Sequence, residues 1–145
     1  MTIATDSFAN RAVSNQRWQG IALLAFRICL VPLFYYSGIG KVMNFAGTAA
    51  RLPGGADGLG QLLAAGAICV ELGVSTALLL GIFARQAAAV MILFTAAATL
   101  MFHNFWASPE AQVVAQTINF LKNLGLIGGL LVIVAFGAGP YAARR

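Results

Sequence analysis

The sequence predicts an all-α protein built as a transmembrane four-helix bundle, and three observations carry that prediction. Hydrophobic residues make up 60% of the 145-residue chain and charged residues only 9%, where an ordinary soluble domain is about one quarter charged. Mean hydropathy is +0.84. The apolar residues gather into four runs, each near or above the roughly 20 residues that a helix needs to cross a bilayer. A soluble fold of this length has no interior large enough for so much apolar surface. One domain is expected, not two.

In order, residues 1–16 form a polar N-terminal tail, expected to be irregular or to lie at the membrane surface. Trp18 to Met43 is the first span, with Pro32 as a candidate kink. That run is too long for the apolar core of a signal peptide and no convincing cleavage site follows it, so the span is expected to stay in the membrane. Asn44–Gly58 contains Pro53, Gly54, Gly55 and Asp57, a loop signal, with a short interfacial helix around Phe45–Leu52. Leu59 to Ile82 is the second span and Ala87 to Trp106 the third, joined tightly at Ala84, Arg85 and Gln86. Ser108, Pro109 and Glu110 read as cap, first helical position and first-turn acid of the last helix. That helix is expected to begin with an interfacial amphipathic turn and to cross the membrane from about Ile118 to Phe136, where Gly137, Gly139 and Pro140 end it. The four-helix domain thus covers residues 17–140, and residues 141–145 form a short basic C-terminal tail.

Four spans put both termini on one side. Arg11, Arg17, Arg85, Arg144 and Arg145 fall on that side, and Arg51, with Lys41 and Lys122 where these count as loop charges, on the other, so the positive-inside rule places both termini in the cytoplasm. The net charge of +5 comes from Lys and Arg residues scattered singly along the chain, apart from the adjacent Arg144 and Arg145. They form no basic patch with interleaved aromatics, so no nucleic-acid partner is expected. The partner that composition demands is the lipid bilayer.

Charges inside the spans are informative because a lone one costs at least about 2.5–3.5 kcal/mol. Counted from Trp18 and from Ile82, Arg27 and Glu71 lie at similar depth, about 14 and 16 Å in. The two sit on adjacent antiparallel helices, which predicts an intramembrane ion pair between Arg27 and Glu71. A proton-relay role for Glu71 is the sharper alternative. Cys29 and Cys69, about 200° round their helices from the charges, read as buried small apolar residues with no disulfide or redox motif.

A polar layer is expected near the opposite end. Thr95, Thr99 and His103 form one stripe on the third helix, Asn119, Lys122 and Asn123 another on the fourth, and Phe34, Ser37 and Lys41 share a face of the first. Polar residues in lipid turn inward, so Lys41, His103, Asn104, Trp106, Asn119, Lys122 and Asn123 are the candidate ligand-binding residues of a pocket. The competing reading lets the lysines snorkel to headgroups and makes Trp106 an aromatic-belt anchor. With a single histidine and no thiol or carboxylate at ligand spacing from it, no metal is expected. No nucleophile elbow, phosphate loop or dinucleotide fingerprint is present, so no catalytic residue can be named.

Several segments together resemble the DoxX family of small bacterial membrane proteins. These are Ser37–Lys41 with Phe45–Thr48, the Glu71 helix, Leu80–Arg85, His103–Trp106, and Asn119–Asn123 followed by Gly128 and Gly129. The likeness runs from about Ala22 to Pro140, and the tail departs from it, with Ala142, Ala143, Arg144 and Arg145 where polar and acidic residues are usual. The resemblance implies four spans in the bacterial inner membrane. It also implies a link to thiosulfate:quinone oxidoreductase or to membrane complexes that handle oxidative stress. The function expected is therefore an accessory membrane subunit in redox metabolism, with the pocket accepting a quinone-like headgroup or small anion. A redox enzyme subunit and a second copy of the chain (a homo-oligomer) are the candidate protein partners. A small proton-coupled transporter and a purely structural anchor for a soluble enzyme are the alternatives.

Overall fold

The structure, a computed structural model, describes residues 3–143, with side chains from Gln16 to Ala143. The basic tail residues Arg144 and Arg145 and the side chain of Arg11 lie outside the described residues. Along the chain come α1 (Ile3–Met43), α2 (Phe45–Ala49), α3 (Leu59–Ile68), a π-helical segment (Cys69–Val74), α4 (Ser75–Leu80), α5 (Ala84–Phe102), a 3-10 turn (Phe105–Ala107) and α6 (Glu110–Phe136). Among the described residues, four stretches are long and apolar enough to cross a membrane: Gln16–Met43, Leu59–Leu80, Ala84–Ala107 and Glu110–Phe136. The chain is an all-α transmembrane bundle. α1 starts at Ile3, so residues ahead of Trp18 continue the first span as helix.

The second span is α3, the π segment and α4 in continuous series. The hydroxyls of Ser75 and Thr76 donate to the carbonyls of Glu71 and Leu72, competing for acceptors that the next helical turn would use. α4 then ends in a Schellman motif. Gly81 takes φ 76°, its N–H donates to the Leu78 carbonyl (3.1 Å), and the Ile82 N–H donates to that of Ala77 (2.9 Å). This leaves the carbonyls of Leu79 and Leu80 to be satisfied from elsewhere.

Arg27 supplies the answer, and it corrects the expected ion pair. Its guanidinium, fully buried, donates to the carbonyls of Leu79 (2.7 Å) and Tyr141 (2.5 Å), with a longer contact to Leu78 (3.5 Å). The Ala143 N–H donates to Leu80 O at 2.7 Å. A cation and a returning tail thus cap the C-terminal end of the second span, where the helix dipole favours positive charge. Glu71 lies eight residues before Leu79, about 12 Å along a helix, so it is out of register with Arg27. Depths counted from Trp18 misplaced the pair because Trp18 is not the end of α1.

The buried apolar side chains gather at the tail end of the bundle. Leu30, Leu78, Ala88, Met91, Leu130 and Ile133 form that core, and α5 packs along α6. Cys29 and Cys69 face outward as free thiols, not inward as expected. The last helix opens at Glu110 with Pro109 as its cap residue. Ser108, expected in that role, turns its hydroxyl to the Asn104 carbonyl instead (3.1 Å).

Candidate functional site

Towards the loop end the bundle is hollow. A cavity of about 830 Å³ lies among all four spans and the α2 loop, within the size range of small-molecule sites. Its walls are mostly apolar, with Phe34, Val70, Phe94 and Leu126 among them, and two polar clusters face into it.

The first cluster joins α1 to the π segment. Gly38 lets the two helices approach, since a Cβ there would lie 2.7 Å from Leu72 Cδ2 and 3.1 Å from Glu71 Cβ. One turn on, Lys41 reaches Glu71. Its Nζ donates to both carboxylate oxygens at 2.8 Å and to Ser37 Oγ at 2.7 Å. The pair is asymmetric: side-chain exposure is 5% for Glu71 and 25% for Lys41. Glu71 therefore has its opposite charge inside the bundle, from the residue that the sequence assigns to the pocket and not from Arg27.

The second cluster joins α5 to α6. Thr99 Oγ1 donates to the Thr95 carbonyl (2.6 Å) and accepts from Asn123 Nδ2 (2.9 Å). Among the described residues Thr95 Oγ1 has no partner, although Thr95 is only 4% exposed. Thr95 and Asn123 both line the cavity. A buried hydroxyl left unpaired costs about 1–3 kcal/mol, and Thr in a helix ordinarily relieves that cost at the carbonyl four residues back, as Thr99 does.

His103, also on the cavity wall, ends α5. Its Nδ1 lies 2.8 Å from Gln116 Oε1. With the amide oxygen accepting, Nδ1 is the donor of that bond. Lys122 and Arg51 line the cavity as well and are exposed. Lys122 Nζ donates to Asn119 Oδ1 at 3.0 Å.

Of the residues singled out by sequence, Lys41, His103, Lys122 and Asn123 share this cavity, and Glu71 joins them. Asn104, Trp106 and Asn119 do not line it. α5 ends at Phe102 and the chain turns away from the cavity, so Trp106 joins Phe105 and Phe120 in an edge-to-face cluster, with centroids 5.1–5.9 Å apart. That cluster, with the exposed indole, ties the α5–α6 connection to α6. Thr95 was visible only as part of a polar stripe. Its missing partner is a property of packing that no residue spacing displays.

These features define a class: a small four-span membrane protein with a ligand-sized cavity between its helices. The DoxX family model matches residues 22–104, and the chain belongs to that family. The match takes in Lys41, Glu71, Thr95 and His103, while Lys122 and Asn123 fall beyond it. Inner membrane protein YphA of Escherichia coli (strain K12) is 29% identical over 125 residues, which is 86% of this chain and 89% of that protein. Inner membrane protein YqjF of the same strain is 32% identical over 130 residues, 90% and 95% of the two chains. No solved structure matches the chain.

Proposed function

We propose that this protein is a ligand-binding accessory subunit of the bacterial inner membrane, linked to redox or oxidative-stress metabolism. Its cavity takes a quinone-like headgroup or a comparable small ligand. Lys41, His103, Lys122 and Asn123 are the binding residues carried from the sequence, and Glu71, Ser37 and Thr95 join them. The observation that carries the reading is the unpartnered Thr95 hydroxyl in the wall of a cavity of about 830 Å³. A polar group buried without a partner is satisfied when a ligand supplies one. The inner-membrane location draws on the relatives, and cytoplasmic termini on the Arg distribution.

The test is native mass spectrometry of protein extracted from its own membrane. Wild type carries a small-molecule adduct, and Gly66→Trp loses it. Gly66 lines the cavity and a Cβ there meets nothing within 4 Å, so a bulky side chain can leave the backbone there without an immediate clash. An adduct kept by Gly66→Trp removes the reading. For orientation, a reporter fused after Arg145 is active in the cytoplasm; periplasmic activity reverses the assignment.

A proton-coupled transporter is the second reading, favoured by the buried Glu71 within a π segment, a feature frequent at functional sites. Against it, both oxygens of Glu71 accept from Lys41, which balances the charge in place. Proton flux in proteoliposomes that Glu71→Gln abolishes without loss of stability would put the transporter first.

A further inference from the structure

We infer that the cavity is loaded from the bilayer, and that the head it accepts is an uncharged hydroxyl on an apolar body, an alcohol or phenol in place of an anion. This rests on the ligand-cavity reading above and narrows its quinone-like headgroup or comparable small ligand to a head that carries a hydroxyl.

The route follows from which helices meet. α3 packs on α1 and α2, whereas α5 packs on the π segment, α4 and α6. Leu62 and Leu63 of α3 and Met101 and Phe102 of α5 all line the cavity, and all four are exposed, Leu62 at 68%. They lie within membrane-crossing stretches. Side chains that border a cavity and also face hydrocarbon frame an opening to lipid. A ligand using it brings an apolar body that matches these walls.

The head follows from donor bookkeeping. An ammonium has three N–H donors and no acceptor, and all three on Lys41 are committed to Ser37 and Glu71. The cation deepest in the site has nothing left for an anion. Glu71, by contrast, keeps lone pairs on both oxygens after accepting from Lys41. Because Lys41 balances Glu71 in place, the pair offers an anionic head no net attraction. A hydroxyl donates to an acceptor and accepts from the idle Thr95 O–H. The remaining cations, Arg51 and Lys122, are exposed at the loop end, where water and lipid phosphates satisfy them.

The experiment uses the full chain in lipid nanodiscs, with empty discs as background. Four alkyl probes of equal chain length are compared: a phenol, its methyl ether, a benzoate and a benzoquinone. The phenol binds saturably and about five- to tenfold more tightly than its ether, the difference expected for one hydrogen bond. Thr95→Val weakens phenol and ether alike, since either oxygen accepts from that hydroxyl, and leaves the phenol preference in place. A sulfonated phenol confined to water binds far more weakly than the alkyl phenol. Equal affinity for phenol and ether, tighter binding of the benzoate or quinone, or full binding of the sulfonated phenol overturns the inference and leaves the ligand cavity standing. Absence of saturable binding by all the probes overturns the inference and removes the cavity reading with it.

Discussion

Replacing Lys41 by Met strands Glu71, and the size of the effect follows from the geometry. Opposite charges 2.8 Å apart attract by roughly 6 kcal/mol at an effective dielectric of about 20. Desolvation takes back several kcal/mol per ion, yet removing one partner of a buried pair still costs about 3–5 kcal/mol. Glu71 is the more buried partner, so Lys41→Met carries that full cost. Glu71→Gln costs less, about 1–2 kcal/mol, because the flexible Lys41 stem lets its ammonium swing towards the headgroups. The double variant Lys41→Met with Glu71→Gln should resemble Glu71→Gln alone, giving a coupling of about 3–5 kcal/mol. Reversible unfolding in mixed micelles, followed by far-UV circular dichroism, measures all four corners of the cycle. Additive effects refute the pair. Coupling of that size between Arg27 and Glu71 instead would restore the pairing that the sequence suggests.

Two further predictions use other parts of the bundle. Arg27→Met deprives the Leu79 and Tyr141 carbonyls of their donor and should cost about 2–4 kcal/mol; hydrogen exchange at Ala143, whose N–H is held by Leu80, should quicken, and unchanged protection there contradicts the cap. Gly129→Ala places a Cβ 2.4 Å from the Phe26 ring and should cost about 1–3 kcal/mol, whereas Gly128→Ala, with nothing within 4 Å, should be neutral or mildly stabilising. Equal unfolding midpoints for the two variants contradict the packing described.

The spans were legible because bilayer crossing demands long apolar runs, a constraint that survives any detail of packing. Lys41, His103, Lys122 and Asn123 were legible for a related reason: a polar residue in such a run must find company. What that company is was less visible. Arg27 pairs with backbone carbonyls, which every residue carries and no sequence marks. The end of α4 needed a donor only because Gly81 turns the chain there. Lys41 found Glu71 through a four-carbon stem and a close approach at Gly38, neither of which residue counting weighs. Cys29 and Cys69 face lipid, and a small apolar side chain suits that face as well as an interior. The cavity itself is space left between helices, set by where α3 parts from α5.

The claim that this space holds a lipophilic ligand is tested most directly by photolabelling. A diazirine-bearing alkyl phenol is equilibrated with the protein in nanodiscs, irradiated, and the labelled residues are mapped by peptide mass spectrometry. α5 provides the internal control, since Phe94 and Ala98 face the cavity while Leu93, 72% exposed, and Leu100 face lipid. Label on Phe94 and Ala98 that unlabelled alkyl phenol competes away, and that Gly66→Trp abolishes, is the predicted result. Label confined to Leu93 and Leu100, and indifferent to competitor, contradicts it.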